Sequence, residues 1–211
     1  MLKLVVIRHA ESEWNLEGRY QGLLDPPLSK RGRNQALLLA KEIGKLNPSV
    51  VYSSPLRRTL QTAEEIASYA GIPLYTDKRI TEIDHGKWSG LLVEEVKEKF
   101  PTEFKRWINE PHKANFEGGE DLRTVYERVK DFLDSLKRKH TGETVAVVSH
   151  TVPIRCMYCY VLGLELTKFW SFGCDNASYS VILIEEERNV LQKLNITCHL
   201  GDLYVETHKA L

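Results

Sequence analysis

The chain alternates short apolar runs with longer segments whose apolar residues recur every three or four positions. The short runs predict β-strands at residues 2–7, 50–52 and 145–148. The longer segments predict helices that begin at a Ser29 cap, at Ser54-Pro55, after Gly118-Gly119 and at Pro153. Strand and helix signals that alternate in this way are typical of an α/β sandwich with a mostly parallel central sheet.

The last two apolar runs predict a hairpin. They cover residues 180–184 and 190–198, and a charged turn at 185–189 joins them. A hairpin at the edge of a sheet is available for pairing between subunits, so a homodimer is the expected assembly. Residues 199–211 are expected to form a C-terminal tail, either frayed or reaching the mouth of an active site.

Length and composition favour a single domain that spans residues 1–211. The chain has 211 residues, and its hydrophobic content of 42% is enough to fill a sizeable core. Lys plus Arg equals Asp plus Glu at 29 each, so no net charge favours nucleic acid or an anionic membrane as a partner. No apolar stretch has the length of a transmembrane helix, and a strand follows Met1 directly. We therefore expect a cytoplasmic protein.

The four cysteines, Cys156, Cys159, Cys174 and Cys198, are too few and too far apart for a disulfide framework. The C-x-x-C pair at 156–159 raises a metal or redox site as one possibility. Without a second pair that signal is weak, and this pair lies inside a predicted helix. We favour core packing for it, and no metal is expected.

Two of the predicted strands lead directly into a histidine. Arg8-His9 follows the first strand, and His150-Thr151 stands between the strand at 145–148 and the next helix. A histidine beside an arginine at a strand end can attack phosphorus while the arginine neutralises the phosphoryl oxygens. A helix N-terminus also favours an anion. Taken alone, the same residues could be an ordinary strand terminus with a solvated arginine and a capping histidine.

A second basic pair lies in the first turn of the helix predicted to begin at Pro55. Arg57 and Arg58 are at the end of the helix that disfavours cations, which indicates an anion bound there. A solvated side chain remains an alternative for Arg57. Glu82 is a candidate proton donor, although an isolated loop glutamate would carry little weight.

The sequence R-H-A-E-S-E-W-N at 8–15 resembles the signature of the histidine phosphatase superfamily, which includes the cofactor-dependent phosphoglycerate mutases and related phosphatases. Three further matches follow in the same order, at 53–59, at Glu82 and at 147–150. The resemblance implies a phosphoglycerate mutase-like fold, a three-layer α/β/α sandwich. It also implies a small-molecule phosphomonoester as substrate, and it supports a homodimer.

The resemblance implies a two-step phosphoryl transfer in which His9 is the nucleophile and Glu82 the general acid. The residues implied to hold the phosphoryl group are Arg8, Arg58, His150, Asn15, Gln21 and Gly22. No divalent ion and no cofactor is implied. We expect the flanking arginines to keep His9 neutral, and we expect them to lower the pKa of Glu82 while a bound phosphate raises it.

Several departures from the mutase pattern favour hydrolysis over isomerisation. His85 stands where mutases of this type carry a tyrosine, and Val93 stands where they carry a substrate-binding lysine. Thr151-Val152 replaces a Gly-Asn pair, and the carboxylate-binding Arg-Arg pair is missing. The segments at 20–26, 82–90 and 150–155 are similar to the metal-independent phosphoserine phosphatases.

We therefore expect hydrolysis of L-phosphoserine, with Thr151 and His85 among the substrate-binding residues. His85 could bind the substrate carboxylate when protonated or accept from the ammonium when neutral, or it could be a loop histidine satisfied by backbone. A phosphoglycerate mutase, a broad-specificity phosphatase and a catalytically silent phosphate-binding protein are the alternatives.

Overall fold

A computed structural model describes residues 1–206 of the chain. In that range the strands are β1 (Leu2–Arg8), β2 (Val50–Ser53), β3 (Leu74–Thr76), β4 (Thr144–Ser149), β5 (Tyr179–Ile184) and β6 (Asn189–Ile196). The α-helices are α1 (Glu13–Glu17), α2 (Lys30–Gly44), α3 (Arg57–Ala70), α4 (Val93–Lys99), α5 (Pro101–Asn109), α6 (Leu122–Lys139) and α7 (Thr151–Val161). Short 3-10 helices lie between them.

The strands form one sheet in the order β3-β2-β4-β1-β5-β6. The pairs β2–β3, β2–β4 and β1–β4 are parallel, whereas β5 is antiparallel to both β1 and β6. The predicted mostly parallel sheet and its terminal hairpin are therefore confirmed. In the β1–β4 register Arg8 is opposite Ser149, so the residues that follow, His9 and His150, emerge side by side at one edge.

Alternate residues of the buried strand β1 face the two sides of the sheet. Leu4 and Val6 pack in one hydrophobic cluster with residues of α6 and α7. Val5 and Ile7 pack in a second cluster with residues of α2 and α3. Because successive side chains of a strand point to opposite faces, this continuous apolar run fills a core on each side of the sheet, and the result is a three-layer sandwich, as predicted.

Two helix starts differ from the prediction. Helix α3 begins at Arg57, because Leu56 is extended and Asp25, from a distant loop, accepts the hydrogen bond of the Arg57 amide at 2.6 Å. Ser54 was expected to cap this helix; its Oγ accepts from the Leu56 amide at 3.4 Å, one residue before the helix, and also lies 2.8 Å from His150 Nε2. Helix α7 begins at Thr151, two residues before Pro153, which lies in the first turn where a missing N–H costs little.

The polar loop after His9 contains the one-turn helix α1. Ser12 and Asn15 form a capping box at its N-terminus. Residues 199–203, which were assigned to the tail, belong to a 3-10 helix (Cys198–Leu203) that packs against α2. Gln35 on α2 holds this segment by donating to the Leu203 carbonyl at 2.9 Å. The remainder of the predicted tail, residues 207–211, lies outside the described residues.

Cys156 and Cys159 are buried in the hydrophobic cluster that α6 and α7 share with one face of the sheet, in agreement with the packing role predicted for them. Within residues 1–206, no helix combines the length and the apolarity needed to cross a lipid bilayer.

Candidate active site

The predicted site residues converge on one pocket at the carboxyl ends of β1 and β4. All of them except His150 line its wall, and the His150 ring lies directly behind the ring of His9, with 5.2 Å between centroids. The inner part of the pocket carries Arg8, His9 and Arg58. Its outer part is largely aromatic.

His9 is held in one orientation by its neighbours. Its backbone N–H donates to Ser149, and its carbonyl accepts from the Ala177 amide. The ring Nδ1 lies 2.7 Å from the Ala10 carbonyl oxygen, which can only accept, so Nδ1 carries a proton and Nε2 keeps its lone pair. Burial, together with Arg58 and Arg8, holds the pKa of His9 well below its ordinary value. The ring is therefore a neutral nucleophile at pH 7.

Arg8 and Arg58 form the cationic floor of the pocket. Arg8 Nη1 donates to the Cys174 carbonyl at 2.6 Å. Arg58 donates to the Leu24 and Gly22 carbonyls, both at 2.9 Å. Burial lowers the pKa of Arg58 to about 10, so it stays charged at neutral pH. Two buried cations that are held by neutral carbonyls remain able to bind an anion.

His150 is the N-cap residue of α7 and is fully buried. Burial, with Arg58 and His9, lowers the pKa of His150 well below its ordinary value, so this ring is also neutral. Its Nε2 lies 2.8 Å from Ser54 Oγ, and its Nδ1 has no partner within residues 1–206. If the Ser54 hydroxyl donates to Nε2, Nδ1 carries the proton and is a donor without a partner among the described residues.

Glu82 lines the pocket opposite His9 and is 8% exposed. Its Oε1 accepts from the Ile83 amide at 2.9 Å. Burial raises the pKa of the carboxyl, and Arg58 and Arg8 oppose that change without reversing it. The dominant effect of burial corrects the expectation from the sequence, which rested on the arginines and the bound phosphate alone. A raised pKa suits a proton donor.

The segment that carries Glu82 is anchored by residues that sequence reasoning missed. Arg128 on α6 donates to the carbonyls of Arg79 and Glu82, at 2.7 and 3.1 Å, and pairs with Glu120. Ser149, at the end of β4, donates to the Ile80 carbonyl at 2.7 Å. The backbone carbonyls of Arg79, Ile80 and Glu82 therefore have partners that tie the segment carrying Glu82 to α6 and to the end of β4.

The loop after His9 supplies neutral donors. The side-chain carbonyl of Asn15 accepts from the Ser12 amide and from Asn176, and that of Gln21 accepts from Ser12 Oγ. Because these side-chain oxygens already accept hydrogen bonds, the side-chain NH₂ groups of Asn15 and Gln21 can donate to a ligand. Gly22 has φ +51°, and a Cβ there would lie 2.8 Å from Ser89 Oγ and 3.2 Å from the His85 amide nitrogen, so a side chain would clash with the segment that carries His85.

His85 lies in the outer part of the pocket among aromatic rings, 5.0 Å from Tyr20 and 4.9 Å from Phe116. Burial lowers the pKa of His85 to about 3. At neutral pH the ring is therefore uncharged in the unliganded site, which favours the form that accepts from a substrate ammonium. The alternative of a loop histidine satisfied by backbone does not hold for Nδ1, which is buried without a partner within residues 1–206.

Thr151, the first residue of α7, lines the pocket as expected. The residues of the outer wall that the sequence analysis did not identify are Arg19, Tyr20, Trp107, Val152 and Trp170. Tyr20 lies within the segment 20–26, whose similarity to the phosphoserine phosphatases could have identified it as a pocket residue. Trp107 and Trp170 are far apart in sequence, and only the fold brings them together. Across residues 1–206, no cluster of His, Cys, Asp and Glu has the arrangement of a metal site.

These features match a known family. The sequence model of the histidine phosphatase superfamily (branch 1) matches residues 4–197. The chain belongs to the histidine phosphatase superfamily. Among its relatives is phosphoserine phosphatase 1 of Hydrogenobacter thermophilus, which is 63% identical over 211 residues and 100% of both chains. Another is the probable phosphoglycerate mutase GpmB of Salmonella paratyphi C, 31% identical over 188 residues, 89% of this chain and 87% of the relative.

Two solved structures share the fold described above. Bacillus stearothermophilus YhfR superposes with a TM-score of 0.89 at 29% identity, covering 95% of this chain and 100% of its own. The phosphoserine phosphatase mutant (H9A) from Entamoeba histolytica, in complex with phosphoserine, superposes with a TM-score of 0.84 at 31% identity, again covering 95% and 100%.

Proposed function

We propose that the protein is a metal-independent phosphatase that hydrolyses L-phosphoserine to L-serine and phosphate. The observation that carries the mechanism is the state of His9, a neutral ring with a free Nε2 lone pair between the buried cations Arg8 and Arg58. The substrate assignment is supported by the full-length relative named phosphoserine phosphatase 1.

In the first step, His9 Nε2 attacks phosphorus in line and the bond from phosphorus to the serine oxygen breaks. Glu82 gives its proton to that oxygen, and L-serine leaves. Arg8 and Arg58 neutralise the phosphoryl oxygens, while His150 and the amides of Asn15 and Gln21 donate hydrogen bonds to them. The inner residues of the pocket are thus assigned to the group that is transferred.

In the second step, water attacks the phosphohistidine and Glu82, now a carboxylate, takes the proton from the water. Phosphate leaves and His9 returns to its neutral form. The arginines supply the positive charge that metal ions supply in other phosphatases, so no step needs a divalent ion.

Hydrolysis is favoured over isomerisation by what occupies the positions of the mutase groups. Val93 is buried in the core at the start of α4, and it carries no charge. Lys105 and Arg106 on α5 are exposed, and Trp107 is the residue of that helix that lines the pocket. The arginine pair expected of a mutase is therefore not found in this pocket, whose lining has Arg19 as its arginine besides Arg8 and Arg58.

The test of this proposal is a substrate screen at equal concentrations of L-phosphoserine, 3-phosphoglycerate and sugar phosphates. We expect the highest kcat/KM with L-phosphoserine. Comparable values across the panel would indicate a broad-specificity phosphatase, and conversion of 3-phosphoglycerate to its isomer in the presence of 2,3-bisphosphoglycerate would indicate a mutase. Complementation of a serine auxotroph that lacks phosphoserine phosphatase would test a role in serine biosynthesis.

We also propose a cytoplasmic homodimer. A dimer is supported by β6, which has β5 as its neighbour on one side and exposes Leu194 on the edge hairpin. A cytoplasmic location is supported by four cysteines without disulfide bonds. Light scattering of the wild type and of Leu194→Lys would test the dimer, with the mass of a monomer expected for the variant. An unchanged mass would place the interface elsewhere.

A further inference from the structure

Arg155 is a buried cation beside the active site that the mechanism does not use. It lies on α7, is 7% exposed, and donates from Nε to the Phe172 carbonyl at 3.1 Å. Its guanidinium carbon stands 4.5 Å from the ring centroid of Trp170 and 5.5 Å from that of Phe169. The guanidinium is therefore stacked between aromatic rings of the 3-10 helix Leu166–Ser171.

Arg155 contacts the pocket only indirectly, through the side chain of Trp170. Trp170 lines the outer part of the pocket, whereas Arg155 does not. The indole Nε1 of Trp170 donates to the Trp107 carbonyl at 2.8 Å, and the two indole rings meet edge to face at 5.1 Å. Trp107 and Arg155 together hold the Trp170 side chain, and removing either contact would free the ring to rotate.

Helix α7 connects this aromatic wall to the phosphate-binding half of the pocket. Its N-cap is His150, and its first residue, Thr151, lines the pocket. Arg155 lies four positions after Thr151 and so on the same face of the helix. One rigid element therefore sets the distance between the phosphate-binding residues and Trp170.

Burying the charged guanidinium of Arg155 costs folding free energy, which suggests that the charge has a role at the site. Within residues 1–206 no carboxylate forms an ion pair with it, and its Nη1 is buried without a hydrogen-bond partner. A buried cation without a counter-ion costs free energy, and an apolar side chain would fill the same space more cheaply. The feature that an apolar side chain would lose is the fixed, planar contact with Trp170.

We propose that Arg155 is a positioning residue that holds Trp170 as the wall of the leaving-group half of the pocket. It acts on the part of the substrate beyond the phosphoryl group and leaves the phosphate-binding half unchanged. The inference rests on the phosphatase chemistry of the pocket and holds for any leaving group that contacts Trp170, so it does not need L-phosphoserine to be the substrate.

The test is a double-mutant cycle on Arg155 and Trp170, with p-nitrophenyl phosphate as substrate. We expect Arg155→Met to raise KM about fivefold, the factor that corresponds to one cation–π contact, with a smaller effect on kcat. Trp170→Ala should also raise KM, and Arg155→Met should add nothing in that background. The inhibition constant of inorganic phosphate should stay at the wild-type value in both single variants.

Additive effects on KM would overturn the proposal, since they would mean that Arg155 does not act through Trp170. A parallel rise in the inhibition constant of phosphate would also overturn it, because Arg155 would then act on the phosphate-binding half. Should Arg155→Met fail to fold, Arg155→Lys gives the same cycle, since it keeps the charge and loses the planar stack. Arg138→Met, at an exposed position on α6, is the matched control.

The same variants assayed with L-phosphoserine separate this inference from the proposed function. If the wild type does not hydrolyse L-phosphoserine, the proposed substrate is wrong. The cycle with p-nitrophenyl phosphate would still decide the role of Arg155.

Discussion

The rings of His9 and His150 stand edge to face, 5.2 Å apart, at the ends of two neighbouring parallel strands. Burial and the nearby Arg58 lower the pKa of both rings. Because neither ring is protonated at neutral pH, they can lie close together without repulsion. One is then free to attack phosphorus while the other donates a hydrogen bond to a phosphoryl oxygen.

Glu82→Gln should slow the enzyme selectively on substrates with poor leaving groups. The serine alkoxide needs a proton, whereas p-nitrophenolate leaves without one. We expect kcat with L-phosphoserine to fall about 100-fold or more and kcat with p-nitrophenyl phosphate to fall far less. Glu98→Gln, exposed on α4, is the control. Equal losses on both substrates would assign Glu82 to binding or to the fold.

His85→Ala should weaken binding of the amino-acid part of L-phosphoserine. Loss of the neutral imidazole leaves a polar group of the substrate unpaired, which costs about 1–3 kcal/mol in kcat/KM. His85→Phe keeps the ring packing against Tyr20 and Phe116 and should show the same loss. Activity on p-nitrophenyl phosphate should barely change in His85→Phe. If both substrates lose equally, His85 belongs to the phosphate site or the fold.

The stability of the protein should fall as the pH drops below about 6.5, the ordinary pKa of histidine. The pKa of His85 is about 3 in the folded protein, so between these values the unfolded chain binds a proton that the folded protein does not. The free energy of unfolding then decreases by up to about 1.4 kcal/mol per pH unit for this one group. Denaturant titrations at pH 7 and pH 4 should give a smaller difference for His85→Phe, and an unchanged difference would contradict the buried neutral state.

Activity should be insensitive to EDTA. The positive charge at the phosphoryl group comes from Arg8 and Arg58, and residues 1–206 contain no group of three or more His, Cys, Asp and Glu side chains that could hold a metal ion such as Mg²⁺. Rates measured before and after extensive chelation should agree. A loss on chelation that Mg²⁺ restores would refute this part of the mechanism.

The elements that the sequence predicted best are those with a strong period. The apolar run of β1 and the one-sided helix α6, which Asp121 caps, lie where their patterns placed them. Strand β3 has only three residues and exposes Tyr75, so its sequence shows no alternation of apolar and polar residues that would predict a strand. The start of α3 was misplaced because its cap is Asp25, a contact that only the fold creates.

The inner half of the site was predictable for a different reason. Its residues follow strand ends or helix starts, and short motifs mark them in the sequence. The outer half was not, because Trp107 and Trp170 belong to separate helices that meet only in the fold. The neutral state of His85 likewise depends on Phe116 and Tyr20, whose packing around the ring no local pattern reveals.

The most direct test of the mechanism is to trap the phosphoenzyme. Wild-type protein mixed with L-phosphoserine and quenched in base should carry phosphate on His9, stable in base and labile in acid, by mass spectrometry of its peptides. His9→Ala should carry none and should lose turnover, because it lacks the nucleophile. Near-wild-type activity in His9→Ala, or phosphate on another residue, would contradict the account.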